Sequence, residues 1–143
     1  MIPVNSYAAM SSNTPLEAYH FERRAVGPDD VQIDILFCGV CHSDLHQVKN
    51  EWGGSQYPMV PGHEIVGKVL SVGANVKKFK VGDLAGVGVM VDSCKTCKTC
   101  AKDLEQYCEE GFVGTYNNKE RNSDNITMGG YATQIVVVEY YTF

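Results

Sequence analysis

The 143 residues predict a mainly β, barrel-like domain carrying an inserted cysteine-rich lobe. Three observations lead there. Apolar residues alternate with polar ones over short runs, glycine-containing turns interrupt those runs, and four of the six cysteines crowd into positions 94–108. One short helical stretch is the only departure from strand-like patterning.

In chain order, residues 1–20 alternate weakly and predict an early strand pair, with Asn13-Thr14-Pro15 as its turn. Gly27-Pro28-Asp29-Asp30 is a second turn. Val31, Ile33, Ile35 and Phe37 then alternate with Gln32 and Asp34, the pattern of a half-buried strand. Ser43 to Asn50 turns helical, with Ser43 placed to act as N-cap and Leu45 and Val48 on one side. Residues 51–56 form a loop, and Pro61-Gly62 leads into a β-rich run over 63–72. Gly62, Gly67 and Gly73 mark bends or close backbone approach in this region. A further apolar segment spans 84–91, a polar cysteine-rich lobe follows, 117–124 is a solvated loop, and Gly129-Gly130 opens a last strand over 131–138. No internal repeat, low-complexity tract or linker divides the chain, so 1–143 is read as one domain, large enough to bury its own core.

Composition narrows the function classes. Hydrophobic residues make up 44% and charged residues 20%, ordinary for a globular protein. A formal net charge of −5 disfavours nucleic acid or an anionic membrane surface as partner. No apolar run approaches the ~20 residues a membrane-spanning helix needs. The N-terminal residues lack a basic start followed by an apolar core, so no signal peptide is expected and a cytoplasmic setting is. Without an export signal, crowded cysteines favour metal over disulfide.

The chemistry concentrates between Gly39 and Gly73. Within 24 residues stand a thiolate donor (Cys41), a hydroxyl (Ser43), three imidazoles (His42, His46, His63) and two carboxylates (Asp44, Glu64). Zinc favours such a mixture of thiolate and imidazole, and a catalytic site keeps one position open. Cys41 and His63 are the expected ligands, with Glu64 or Asp44 as the third within this stretch. Ser43 serves either as a proton-relay hydroxyl or as a helix cap, and Trp52 either lines a substrate pocket or packs its loop.

Cys94, Cys97 and Cys100, followed after seven residues by Cys108, supply four thiolates from one compact lobe spanning about 91–112. Four thiolates close a tetrahedral zinc site with no open position, which makes it structural. The rival is a [4Fe–4S] cluster, whose C-x2-C-x2-C run takes its next cysteine after three residues and before proline; Cys108 precedes Glu109, and zinc is preferred. Lys95, Lys98 and Lys102 either offset the charge of a zinc–thiolate centre or are solvated loop charges. Cys38, outside every motif, is read as core.

With these motifs in view, the chain resembles the zinc-dependent medium-chain alcohol dehydrogenases, in particular their cinnamyl-alcohol-dehydrogenase-like aldehyde reductases. The resemblance rests on GVCHSDLH (39–46), YPMVPGHEIVGKVLSVGANV (57–76), VGDLAGVG (81–88), VDSCKTCKTC (91–100), GTYN (114–117) and GGYA (129–132). It implies a GroES-like, partly open barrel, a structural zinc on Cys94, Cys97, Cys100 and Cys108, and a catalytic zinc on Cys41 and His63, with Glu64 able to exchange with water there. It also implies hydride transfer between a primary alcohol or aldehyde and NADP(H), zinc acting as Lewis acid. Ser43 and then His46 carry the proton outward, His42 contacts the cofactor, Asp44 orients His63, and Trp52 lines the pocket.

The 143 residues depart from that family in one respect. Full-length relatives carry a Rossmann domain and a return segment beyond this region, and their other catalytic zinc thiolate follows position 143. The run Gly86-Val87-Gly88-Val89-Met90-Val91 lacks the third glycine of a dinucleotide fingerprint and leads into the lobe, not a helix. Two expectations follow. The chain is the catalytic portion of such a dehydrogenase, inactive alone and prone to self-association through surface the cofactor domain covers. Alternatively, it is a free-standing zinc-binding β-barrel with a structural or interaction role.

Overall fold

The computed structural model describes residues 1–143. Strands β1 (Ile2–Ala9) and β2 (Leu16–Arg23) form an antiparallel hairpin, pairing Ile2 with Arg23 and Ala9 with Leu16. The main sheet has the order β5-β4-β3-β8, built from β3 (Asp30–Cys38), β4 (Ile65–Val72), β5 (Leu84–Val87) and β8 (Gln134–Val138), with antiparallel neighbours throughout. Past β8 the chain turns through a 3-10 segment at Glu139–Tyr141 and bridges back to β5, Phe143 and Gly86 exchanging both backbone hydrogen bonds. That return curls the sheet onto itself as an incomplete barrel.

Alternation places Val31 and Ile33 of β3, Ile65 and Val69 of β4, Ala85 and Val87 of β5, and Ile135 and Val137 of β8 on one shared face, closed by Tyr141. The residues between them alternate outward, among them Lys68 and the exposed apolar Val66, while Val136 of β8 is itself buried. The expected inward place of Phe37 does not hold, since its side chain is 73% exposed. The register slips between Ile35 and Phe37, where Ile35 faces Gly67 and Phe37 faces Val66, leaving Leu36 as the extra residue of a bulge. The bulge reverses the phase of the strand. Cys38 now packs against the core, as expected of it, and the chain leaves β3 aimed at Cys41.

The helix α1 (His42–Val48) begins one residue earlier than the sequence suggests, and its N-cap is Cys41, not Ser43. Asp44 at the third helical position accepts the Cys41 backbone N–H at 3.0 Å, half of a capping box. The buried face is also not the expected one. Leu45 is exposed, Val48 is half-buried, and the residue the helix buries is Asp44.

The hairpin docks across the mouth of the main sheet. Tyr7 donates its N–H to the carbonyl of Tyr131, and the N–H of Thr133 donates to Asn5. Tyr131–Thr133 is therefore a connector shared by β1 and β3, and the last strand starts only at Gln134. The short strands β6 (Met90–Asp92) and β7 (Val113–Gly114) pair antiparallel and close the base of the cysteine lobe. No helix is long and apolar enough to cross a membrane.

Candidate metal centres

Two groups of side chains that could hold a metal emerge. In the first, ligand atoms of Cys41, His63 and Glu64 all lie within 4.8 Å of one another. Cys41 arrives from the bulged end of β3, and His63 and Glu64 from the loop before β4. That loop turns at Gly62, whose φ of +102° and tight surroundings exclude a side chain: a Cβ would sit 2.7 Å from Tyr131 and 2.8 Å from the Cys38 sulfur. Gly39 is similarly confined, its missing Cβ falling 2.2 Å from Glu64 Oε2. These glycines let three chain segments meet at one point.

Asp44 stands behind this cluster, 2% exposed. Its Oδ1 accepts the Gly62 N–H at 3.0 Å and lies 3.4 Å from His63 Nδ1. Its Oδ2 accepts the Cys41 N–H at 3.0 Å and the Tyr131 hydroxyl at 3.2 Å. Four groups thus converge on one buried carboxylate, which satisfies it without a cation. The ring of Tyr116 stacks on His63 with centroids 5.9 Å apart. Burial and then the Asp44 charge raise both tyrosine phenols well above their ordinary range, so each hydroxyl stays protonated at neutral pH.

On the outer side, the Cys41 thiol donates to Ser43 Oγ at 3.5 Å. His46 Nδ1 pairs with the Glu51 carboxylate, which the hydrogen bond holds below the usual carboxylate range. Trp52 is 60% exposed and stacks on the imidazole of His46 at 5.0 Å, while His42 lies 6.0 Å from the same ring. Ser43 thus sits beside Cys41, and His42, His46 and Trp52 group together around His46. Sequence reasoning missed Glu51, Tyr116 and Tyr131. The last two lie within the GTYN and GGYA motifs, but nothing in one dimension says that they face Asp44 or His63; Glu51 carried no signal at all.

The second group is Cys94, Cys97, Cys100 and Cys108, whose sulfurs also lie within 4.8 Å of one another. All six cysteines of the chain are free thiols. Backbone N–H groups of Cys94, Cys97 and Glu109 donate to sulfurs of the cluster at 3.3–3.5 Å. The Thr99 hydroxyl, followed by backbone donors, brings Cys97 down to about 5, so one thiolate forms readily at neutral pH. Buried Ser93 bridges inward: Tyr141 donates to Ser93 Oγ at 2.7 Å, and Ser93 Oγ lies 3.4 Å from the Cys100 sulfur. Lys98 and Lys102 are solvated, and Lys95 pairs with Asp92 at 3.0 Å. The cation that touches the sulfurs is Arg121, whose Nη2 donates to Cys108 Sγ at 3.7 Å. The loop over 117–124, read as wholly solvated, turns Arg121 inward for this contact.

A cavity of about 960 Å³ lies apart from the Cys41 cluster, between β8, the lobe and the loop before it. In its wall Arg24 pairs with Asp30 and Lys95 with Asp92. Arg23 donates to the carbonyls of Gln134, Met128 and Gly129, and it stays protonated at neutral pH although burial lowers it to about 9.

Comparison with known proteins agrees with this geometry. The family model of the alcohol dehydrogenase GroES-like domain matches residues 27–143. The chain belongs to that family. The GroES-like chain is 53% identical over 138 residues to the aldehyde reductase YahK of Escherichia coli, covering 96% of itself and 39% of that protein. It is 55% identical over 142 residues to NADP-dependent alcohol dehydrogenase C 1 of Mycolicibacterium smegmatis, covering 99% of itself and 40% of the relative. Among solved structures, a CAD from Helicobacter pylori complexed with NADP(H) superposes with a TM-score of 0.96 at 45% identity, over 99% of this chain and 41% of that one. The chain thus spans about 40% of the length of the relatives it matches.

Both donor sets suit zinc. Four sulfurs in a compact lobe match a closed tetrahedral site, and thiolate, imidazole and carboxylate on a partly open rim match a site with room for another ligand.

Proposed function

We propose that the chain is the zinc-binding catalytic portion of an NADP(H)-dependent alcohol dehydrogenase or aldehyde reductase, working in the cytoplasm on a small alcohol or aldehyde. The observation that carries this reading is the convergence of Cys41, His63 and Glu64 within 4.8 Å, backed by Asp44. Cys41, His63 and Glu64 would hold a zinc ion, which when bound would supply Lewis-acid polarisation of a substrate oxygen. Asp44 Oδ1, 3.4 Å from His63 Nδ1, orients the His63 ring and leaves Nε2 for ligation.

Ser43 Oγ, beside the Cys41 sulfur, is placed to take the proton released from an alcohol. His46, three residues on along α1, lies one helical turn away and takes it next. Glu51 holds His46 Nδ1, which fixes its tautomer and leaves Nε2 for the exchange. Trp52 packs on the imidazole and limits its motion. His42, exposed beside His46, is assigned a contact with the cofactor. The 143 residues contain no dinucleotide fingerprint, so they are expected to show no turnover of aldehyde with NADPH by themselves.

Elemental analysis of the metal-replete, dialysed chain tests the reading. The expected content is two zinc per chain, falling to one in Cys41→Ser or His63→Ala while the four-cysteine lobe keeps its metal. One zinc in the unsubstituted chain refutes the catalytic site.

A further inference from the structure

We infer that Tyr131 is a positioning residue of the Cys41–His63–Glu64 centre, acting through Asp44. This deepens the zinc reading above and rests on it. The Tyr131 hydroxyl donates to Asp44 Oδ2 at 3.2 Å, the oxygen that also accepts the Cys41 N–H. With both donors on Oδ2, the carboxylate plane is set so that Oδ1 faces the Gly62 N–H and His63 Nδ1. Removing the hydroxyl leaves Oδ2 with one donor in a pocket where Asp44 is 2% exposed, and water has little access to replace it. The carboxylate can then rotate toward the Cys41 amide, and the His63 ring loses its fixed partner.

The placement of Tyr131 explains why this residue, distant in sequence, has the leverage. Its backbone is pinned on two sides: its carbonyl accepts the Tyr7 N–H at 2.9 Å, and its N–H donates to the Pro61 carbonyl at 3.0 Å. Its ring packs where a Gly62 Cβ would stand. The phenol is therefore anchored to the same loop that carries His63, so the hydroxyl cannot drift from Asp44 without moving the ligand loop as well.

The test is a cobalt(II) titration of the chain and of Tyr131→Phe, Asp44→Asn and the double variant. The one-thiolate and four-thiolate centres absorb differently, and each affinity is read separately. In Tyr131→Phe, affinity at the Cys41 centre is expected to fall about tenfold, the lower end of the loss typical for outer partners of a metal ligand. Affinity at the four-cysteine centre should not change. The double variant should be no weaker than Asp44→Asn alone, because the two side chains act in series. An unchanged Cys41-centre affinity in Tyr131→Phe overturns the inference, as does a double variant whose losses simply add. Equal weakening of both centres also overturns it, by revealing a general loss of stability. If the unsubstituted chain shows only the four-thiolate spectrum, the zinc reading itself falls, and the inference with it.

Discussion

Asp30 illustrates how one side chain sets a local turn and a pH limit. It begins β3 and is buried, and its carboxylate accepts from the Gly27 N–H at 2.7 Å and from Arg24 Nη2 at 2.9 Å. Burial alone would raise its pKa, but the guanidinium and the amide together hold it below the usual carboxylate range. A carboxyl with a depressed folded-state pKa contributes its stabilisation above the unfolded value of about 4. That contribution is lost as pH falls through the lower folded value. Because Arg24 is partly exposed, solvent screening reduces the pair to about 1–2 kcal/mol. Asp30→Asn should cost that much at neutral pH and flatten the acid limb of a urea-stability profile. Parallel acid limbs in the two proteins would assign the pH dependence elsewhere.

Among the elements, β8 and its flanks connect more than its five residues suggest. It pairs with β3 through the core, and tyrosines before and after it reach the two candidate metal sites: Tyr131 contacts Asp44, and Tyr141 contacts Ser93 beside Cys100. The lobe itself has little apolar core, being made of turns and two short 3-10 segments, so a metal on its four cysteines would supply much of its order. Chelation should therefore make the segment 93–112 protease-sensitive while the barrel stays folded. Ser93→Ala, which removes the link between Tyr141 and Cys100, should speed zinc loss from the lobe about tenfold. Both are read by limited proteolysis and metal-release kinetics. Equal protection of 93–112 with and without metal would mean that the lobe folds on its own contacts.

For the whole molecule, the outer face of the main sheet matters most. Phe37 and Val66 are cross-strand partners that both point outward, and Leu84 lies farther along on β5; all three are exposed, Phe37 and Leu84 by 73% and 69%. Such an apolar face on a curved sheet favours association. We propose that the 143-residue chain self-associates through it, and that Phe37→Lys with Leu84→Lys shifts the population to monomer. Light scattering across a concentration series measures this; a monomer at every concentration without substitution would remove the face from consideration.

Much of this protein was determined by its sequence alone. The strand runs followed from period-two alternation, because that alternation is a local regularity. The clustering of the four cysteines, and of Cys41 with His63, was legible too, since such side chains are chemically distinctive and stand within recognisable motifs. Other features depended on how segments meet in space. A single extra residue at Leu36 turned Phe37 outward, which alternation cannot foresee. The capping geometry at Cys41 pulled Asp44 inward and left Leu45 in solvent, reversing the expected helix face. The roles of Tyr131, Tyr116, Glu51 and Arg121 arise from contacts between separate segments, reaching 87 residues in the bond from Tyr131 to Asp44. Local pattern reports which residues can do chemistry; only the tertiary structure decides which neighbours hold them in place, because a hydrogen bond depends on distance in space and not along the chain.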